Sequence, residues 1–363
     1  SSDLNFGSAT AAKAINAGTG TVGIRTKDDG KLIKLGLEDT SGMEPQLRLN
    51  QTELNKITAG NVVIGHGQAG HISVDGPITT EAATGNITLQ TNGNITLSKA
   101  LTIGDDPLTV STTENTKNLT LNGLGATSTI SQSEAIKASG LDLLGANVDF
   151  SLTATGNQVA TLAGNAKSIN YLNASALTIG TVNNTNGITT TGNVSVKTTS
   201  GDLTLSQNIN TPGSVNLEAA AAITYTTGIT SASTLNLKAG STIGSSSKRV
   251  QTDVTNLSMD SGGDQFLTEA NAINVSARTT ANNGSIDIAT TNGTLNVGTV
   301  NTIAGITSLG NTTLTSYATA NALEIGAAVN SGGNVTLTGH STSLTGINIA
   351  SAITASNGTI TLV

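Results

Sequence analysis

One four-residue unit, polar–apolar–polar–apolar, returns along the whole chain and allows only half of its side chains to be buried. It stands at Asn86-Ile87-Thr88-Leu89, Asn94-Ile95-Thr96-Leu97, Asn118-Leu119-Thr120-Leu121, Asn193-Val194-Ser195-Val196, Asp202-Leu203-Thr204-Leu205, Thr234-Leu235-Asn236-Leu237, Asn334-Val335-Thr336-Leu337 and Thr359-Ile360-Thr361-Leu362. Alternation of period two is a short strand with one buried face. Turn residues bracket most units, as at Asn92-Gly93, Gly192-Asn193, Asn283-Gly284, Asn292-Gly293 and Asn357-Gly358.

The spacing between units selects the architecture. Val194, Val215, Leu235, Val254, Ile273, Leu295, Leu314 and Val335 follow one another in steps of 19 to 22 residues. Between Val194 and Val215 lie Leu203 and Ile209; between Val215 and Leu235 lie Ile223 and Ile229. A period of about 20 residues with three short strands describes a three-faced coil, a parallel β-helix. At that period 363 residues make roughly 18 coils stacked at strand spacing. Val194, Leu203, Leu205, Val215, Leu235 and Val335 are the expected core stack. Ser133–Leu144 has weak helical character and is expected to be a loop or irregular coil. Domain structure is expected to be one continuous solenoid over residues 1–363, less regular around 1–80 and 244–269.

Composition agrees with a narrow interior. Glycine numbers 42 and aromatics six, with Ile, Leu, Val and Ala supplying the apolar residues. Corners call for Gly and Asn, which tolerate positive φ, and outward positions suit Thr and Ser. The absence of Cys excludes a disulfide framework and cysteine-held metals. A net charge of −7 offers no basic surface for nucleic acid. No apolar run approaches the ~18 residues of a membrane span.

The segment Leu47-Arg48-Leu49-Asn50-Gln51-Thr52-Glu53-Leu54-Asn55-Lys56-Ile57-Thr58-Ala59-Gly60, followed by Val62-Val63-Ile64-Gly65 and Ala69-Gly70-His71-Ile72-Ser73-Val74-Asp75-Gly76-Pro77-Ile78, resembles a junction motif of large bacterial surface proteins. Tyr171 to Val182 and Gly187 to Val194 are similar to their repeats. These proteins are the filamentous-haemagglutinin-like adhesins and related β-strand-repeat exoproteins. The resemblance covers essentially the whole chain. It implies a single right-handed parallel β-helix on the surface of a Gram-negative cell, or secreted from it. It also implies export through an outer-membrane partner protein and a role in adhesion, aggregation or biofilm. The partner surface is that of a host or neighbouring cell, glycan or protein. The chain opens at Ser1 and closes inside a repeat, and is expected to be a segment of something longer or a processed subunit. Self-association end to end through open strand edges is the alternative.

Chemistry-bearing residues are sparse. No metal site is expected; Asp260 and Asp264 of Asp260-Ser261-Gly262-Gly263-Asp264 are weak Ca²⁺ candidates, because the segment lacks glycine-rich nonapeptide repetition. His66 and His71, five apart, form a poor metal pair, and His340 is isolated. Asp28-Asp29 and Asp105-Asp106-Pro107 read as loop carboxylates. A glycan-acting β-helix enzyme needs clustered carboxylates with stacking aromatics; Asp202 and Glu218 are the nearest pair, at different positions of the coil. Gly30-Lys31 is not a phosphate loop, because Leu32 stands where Ser or Thr is required. No catalytic residue and no cofactor are expected. Thr88, Thr96, Thr120 and Thr204 face outward, but Ser195, Asn216, Asn236 and Asp287 interrupt any ice-binding Thr ladder. Sequons at Asn86, Asn94, Asn118, Asn193, Asn274, Asn311 and Asn334 arise from the alternation itself.

Overall fold

The computed structural model describes residues 2–3, 14–37, 46–105, 116–319, 321–341 and 346–363. Strand takes 59% of it and helix 2%, and the strands stack in parallel as a β-solenoid. Apolar residues of the alternating units point inward and the polar ones outward, so one short strand serves both core and surface. Consecutive coils hydrogen-bond edge to edge, which satisfies backbone groups that a loop of this length would otherwise leave unpaired.

Two compact units divide the chain, Ser1–Thr191 and Gly192–Val363. In the first, three inward ladders mark three faces. Val62, Ile87, Leu119, Leu141 and Leu162 stack on one. Ile33, Ile72, Ile95, Ile130, Phe150 and Ile169 stack on the second, and Ile78, Leu101 and Ile136 on the third. Phe150 and Tyr171 are fully buried, so the interior admits two of the five aromatics among the described residues. One helical turn, Gln51–Leu54, interrupts the strands; Asn50 caps it by accepting from Glu53 N while the Glu53 carboxylate accepts from Asn50 N. No helix among the described residues is long and apolar enough to cross a membrane.

In the second unit, Val194, Val215, Leu235, Leu257, Val275, Val297, Ile325 and Ile349 form the first ladder. The second runs Leu203, Ile223, Ile243, Gln265, Ile286, Thr312, Val335 and Ile360. Ile209, Thr230, Thr252, Glu269 and Thr290 line the third corner. Val194, Leu203, Leu205, Val215, Leu235 and Val335 are all buried.

Several expectations are corrected. The coils recur about 23 residues apart, about 12 turns in all, against 20 and 18. A fixed period slides off the ladder: Leu235 pairs with Leu257, while Val254 pairs with Ala232. Leu295 pairs with Leu323, Leu314 with Leu337, and Val335 belongs to the ladder of Leu203. The cause is unequal coils, lengthened by bulges and an inserted hairpin. Ile229 is 45% exposed and Thr230 takes the inward place over Ile209; Gly228, at φ 98°, turns the chain by one residue there. Residues 136–144 are strand, part of Ile136–Leu152, because Ile136, Ala138, Leu141 and Leu143 fill ladder positions. Of 244–269, the strands Val250–Ser261 and Gln265–Glu269 are regular, and the irregular parts are 244–249 and the bend at 262–264.

Candidate functional site

Corners carry the most systematic polar chemistry. A side-chain carbonyl at one corner accepts the peptide N–H of the corresponding corner on the next coil. Asn94 accepts from Thr129 N at 3.0 Å, Asn193 from Ser214 N at 2.9 Å and Asp202 from Ala222 N at 2.9 Å. Asn208 accepts from Ile229 N, Asp264 from Ser285 N and Asn311 from Asn334 N, each at 2.8 Å. Asn334 accepts from Thr359 N at 2.9 Å. All seven sequon asparagines are engaged: Asn86 accepts from Asn118 N, Asn118 donates to Asn183, and Asn274 lies in an amide ladder between Asn256 and Asn296. Positive φ, expected for corner Asn, occurs at Asn183, Asn282, Asn283, Asn301 and Asn321. At the stapled corners Asn serves instead as an acceptor reaching between coils.

The two candidate Ca²⁺ ligands are occupied by protein. Asp260 pairs with Arg278 at 2.6 Å, and Asp264 holds Ser285 as above. Among the described residues no group of three His, Asp or Glu side chains gathers. His66 meets Thr26 Oγ1 and Gln68 N, His71 Nδ1 accepts from Asn94 N, and His340 stacks on Tyr317 at 4.3 Å between ring centres. Asp28 and Asp29 are exposed in a turn; Asp106 and Pro107 lie outside the described residues. Asp202 is a corner staple, while Glu218 stands between Lys197 at 3.1 Å and Lys238 at 3.3 Å. Burial opposes ionisation of Glu218, but the two lysine hydrogen bonds win and hold it below the usual carboxylate range.

Two antiparallel hairpins break the parallel pattern. Thr181-Val182 pairs antiparallel with Thr185-Asn186, and Thr299-Val300 with Ile303-Ala304. Each neck is closed by glycines: Gly187 N donates to Gly180 O at 2.8 Å, and Gly305 N to Gly298 O at 2.8 Å. Each hairpin turns through an Asn at positive φ, Asn183 and Asn301. The signal was present as Gly180-Thr181-Val182-Asn183 with Gly187-Ile188-Thr189, matched by Gly298-Thr299-Val300-Asn301 with Gly305-Ile306-Thr307.

Each hairpin straps down the outer face of the coils in its own unit. Val182 is buried, and a side chain at Gly140 would strike it, with a Cβ only 2.8 Å from Val182 Cγ1. Asn183 bonds Asn118 and Thr120, so Thr120, outward by alternation, is nearly inaccessible. Asp142, beside Thr120 in the ladder, is 3% exposed, and its Oδ1 has no partner. Burial pushes its carboxyl up to about 6, against hydrogen bonds from Thr185 and Asn183 that lower it. Beneath the second strap Ser276 donates to Val300 O at 3.2 Å, and no carboxylate occupies the equivalent place: Ser258 pairs with Ser276. Glu269, fully buried, accepts from Thr252 Oγ1, Val254 N and Asn271 N; burial raises its carboxyl above the ordinary value.

The outer faces thus offer short polar side chains pinned coil to coil, with carboxylates such as Glu218 and Asp260 paired to Lys or Arg and Asp142 and Glu269 buried. Comparison with protein-family models, with curated proteins and with solved structures yields no match.

Proposed function

We propose that this chain is a structural, surface-exposed β-helical segment of a large bacterial adhesin or exoprotein, exported through an outer-membrane partner and contacting a host or neighbouring cell. The observation that carries this reading is the stapled wall. Within each unit, coil after coil repeats an inward ladder and a corner acceptor, and the carboxylates of Asp202, Glu218, Asp260 and Asp264 are engaged within the protein. Such a wall offers little reactive chemistry, which suits a shaft that presents contacts away from a cell. The sequence resemblance to filamentous-haemagglutinin-like proteins supports the same role.

Antibodies against the chain, applied to intact Gram-negative cells of the source strain, test it. Surface labelling that disappears after mild external proteolysis, with reduced cell–cell aggregation when the segment is deleted, is the expected result. Labelling only after lysis sinks the reading.

A second reading, a filament subunit stacking end to end, draws on the parallel edge-to-edge pairing by which each coil recruits the next, a pairing that one chain could also offer to another. Electron microscopy of the secreted protein separates the two: fibres longer than any single covalent chain favour the subunit, and discrete rods favour the shaft.

A further inference from the structure

The first unit contains a cleft of about 290 Å³ on its outer surface. Its floor is Leu144, half-buried and pointing outward between the inward Leu143 and the bulge that follows. In the ladder Asn122–Leu144–Asn165 the two asparagines stand one coil before and one coil after the leucine. Strand spacing puts them about 9.6 Å apart. Across this chain outward positions are mostly Thr, Ser, Asn or Lys; a leucine with an amide on either side departs from that rule.

A bulge supplies the third wall. Between Gly145↔Ala166 and Asp149↔Ser168 the chain carries more residues than its partner strand. Val148 folds inward into space that only glycine leaves, since a Cβ at Gly123 or Gly145 would lie 2.7 or 2.5 Å from Val148 Cγ2. Asn147 is thereby pushed outward over the leucine. Leu124, 47% exposed, completes the lining.

The polar atoms of this cleft are unspent. Asn94, Asn193, Asn311 and Asn334 spend their side chains as coil staples, but Asn122, Asn147 and Asn165 have no side-chain partner among the described residues. Three amides offer donors and acceptors in equal measure. No ionisable side chain lines the cleft, which disfavours phosphates, carboxylates and cations alike. Its leucines give an apolar patch for a ring's C–H face. A ligand with hydroxyls around its edge, an apolar face and no charge matches all three properties.

We propose that this cleft binds a single neutral pyranose, with Leu144 and Leu124 against the ring face and Asn122, Asn147 and Asn165 bonding its hydroxyls. A site this shallow, without an aromatic platform, holds one ring with Kd on the order of 1–10 mM. The site is independent of the shaft reading, since it requires only the fold of the first unit.

Titration of the ¹⁵N-labelled full chain with glucose, galactose, mannose, N-acetylglucosamine and N-acetylgalactosamine, each to about 50 mM, tests it. The side-chain amide signals of Asn122, Asn147 and Asn165 are expected to shift and saturate with at least one sugar. Glucuronate and inorganic phosphate should leave them unmoved. Leu144→Asn, which extends the outward asparagine ladder and keeps the fold, should weaken binding about tenfold or more, as should Asn165→Ala; unchanged backbone spectra elsewhere certify folding. If none of the five sugars moves those amides, or if the shifts survive in Leu144→Asn, the assignment is wrong.

Discussion

Asparagine at the residue scale does two different jobs here, separated by burial. Asn173 is fully buried, accepting from Val159 N and Tyr171 Oη while donating to Val159 O and to the carbonyls of Ser175 and Ala176. Asn193 lies at a solvated corner and staples Ser214 N. Truncation should separate them. Asn173→Ala leaves buried donors and acceptors unmade and should cost roughly 2–3 kcal/mol, whereas Asn193→Ala costs about 1 kcal/mol. Urea unfolding with unchanged m-value measures both, and equal costs would mean that the corner bond is not solvent-competed as described. Asn at corners was legible in the sequence. What was not legible is that at Asn94, Asn193, Asn208, Asn311 and Asn334 the side-chain carbonyl, rather than a positive φ, accounts for the choice. The acceptor's partner lies one coil away, at a distance in sequence that varies from 20 residues (Asp202 to Ala222) to 35 (Asn94 to Thr129).

Among elements, the hairpin straps decide the most. The strap over Asp142 confines a carboxyl in a place with one unpartnered oxygen. The folded group titrates near 6 against an ordinary 3.8, so between about pH 4 and pH 6 the folded chain keeps a proton that the unfolded chain releases. Stability therefore falls as pH rises through that window. Asp142→Asn should flatten the fall and raise the melting temperature at pH 7.5 relative to wild type, with little difference at pH 4. Thermal melts across pH 4–8 check this, and a parallel shift at every pH would contradict it. Glu269 pushes in the same direction, so the variant keeps a shallower residual slope. The alternating strands were readable from their period of two, yet the ladders beyond Leu235 were not. The hairpin at 299–304 lengthens its coil, so the true step from Leu295 to Leu323 is 28 residues, where a uniform count lands on Leu314.

For the whole molecule, the parallel solenoid followed from composition, alternation and an approximate period, while coil number did not, because a period read from a few regular coils overcounts. Within each unit the stack is quasi-one-dimensional, so damage should stay local. Leu205 is buried above Tyr225 in the second ladder of the Gly192–Val363 unit. Leu205→Asp buries an unpaired charge and should cost more than about 4 kcal/mol locally. Limited proteolysis should then cut in the coils around 200–230 while the ladders beyond Ile286 stay protected. Uniform digestion of the unit would mean that its coils unfold as one body.

The glycine necks of the two straps have a practical corollary. Where Gly187 closes on Gly180, and Gly305 on Gly298, the wall resumes its register as though the six residues between had never been inserted. Loop-closure entropy grows only slowly with length. Peptides with converging ends could therefore be inserted at the tip of either hairpin, with the neck and the strap strands kept over the ladders, which makes the molecule a two-port scaffold for displaying foreign sequence.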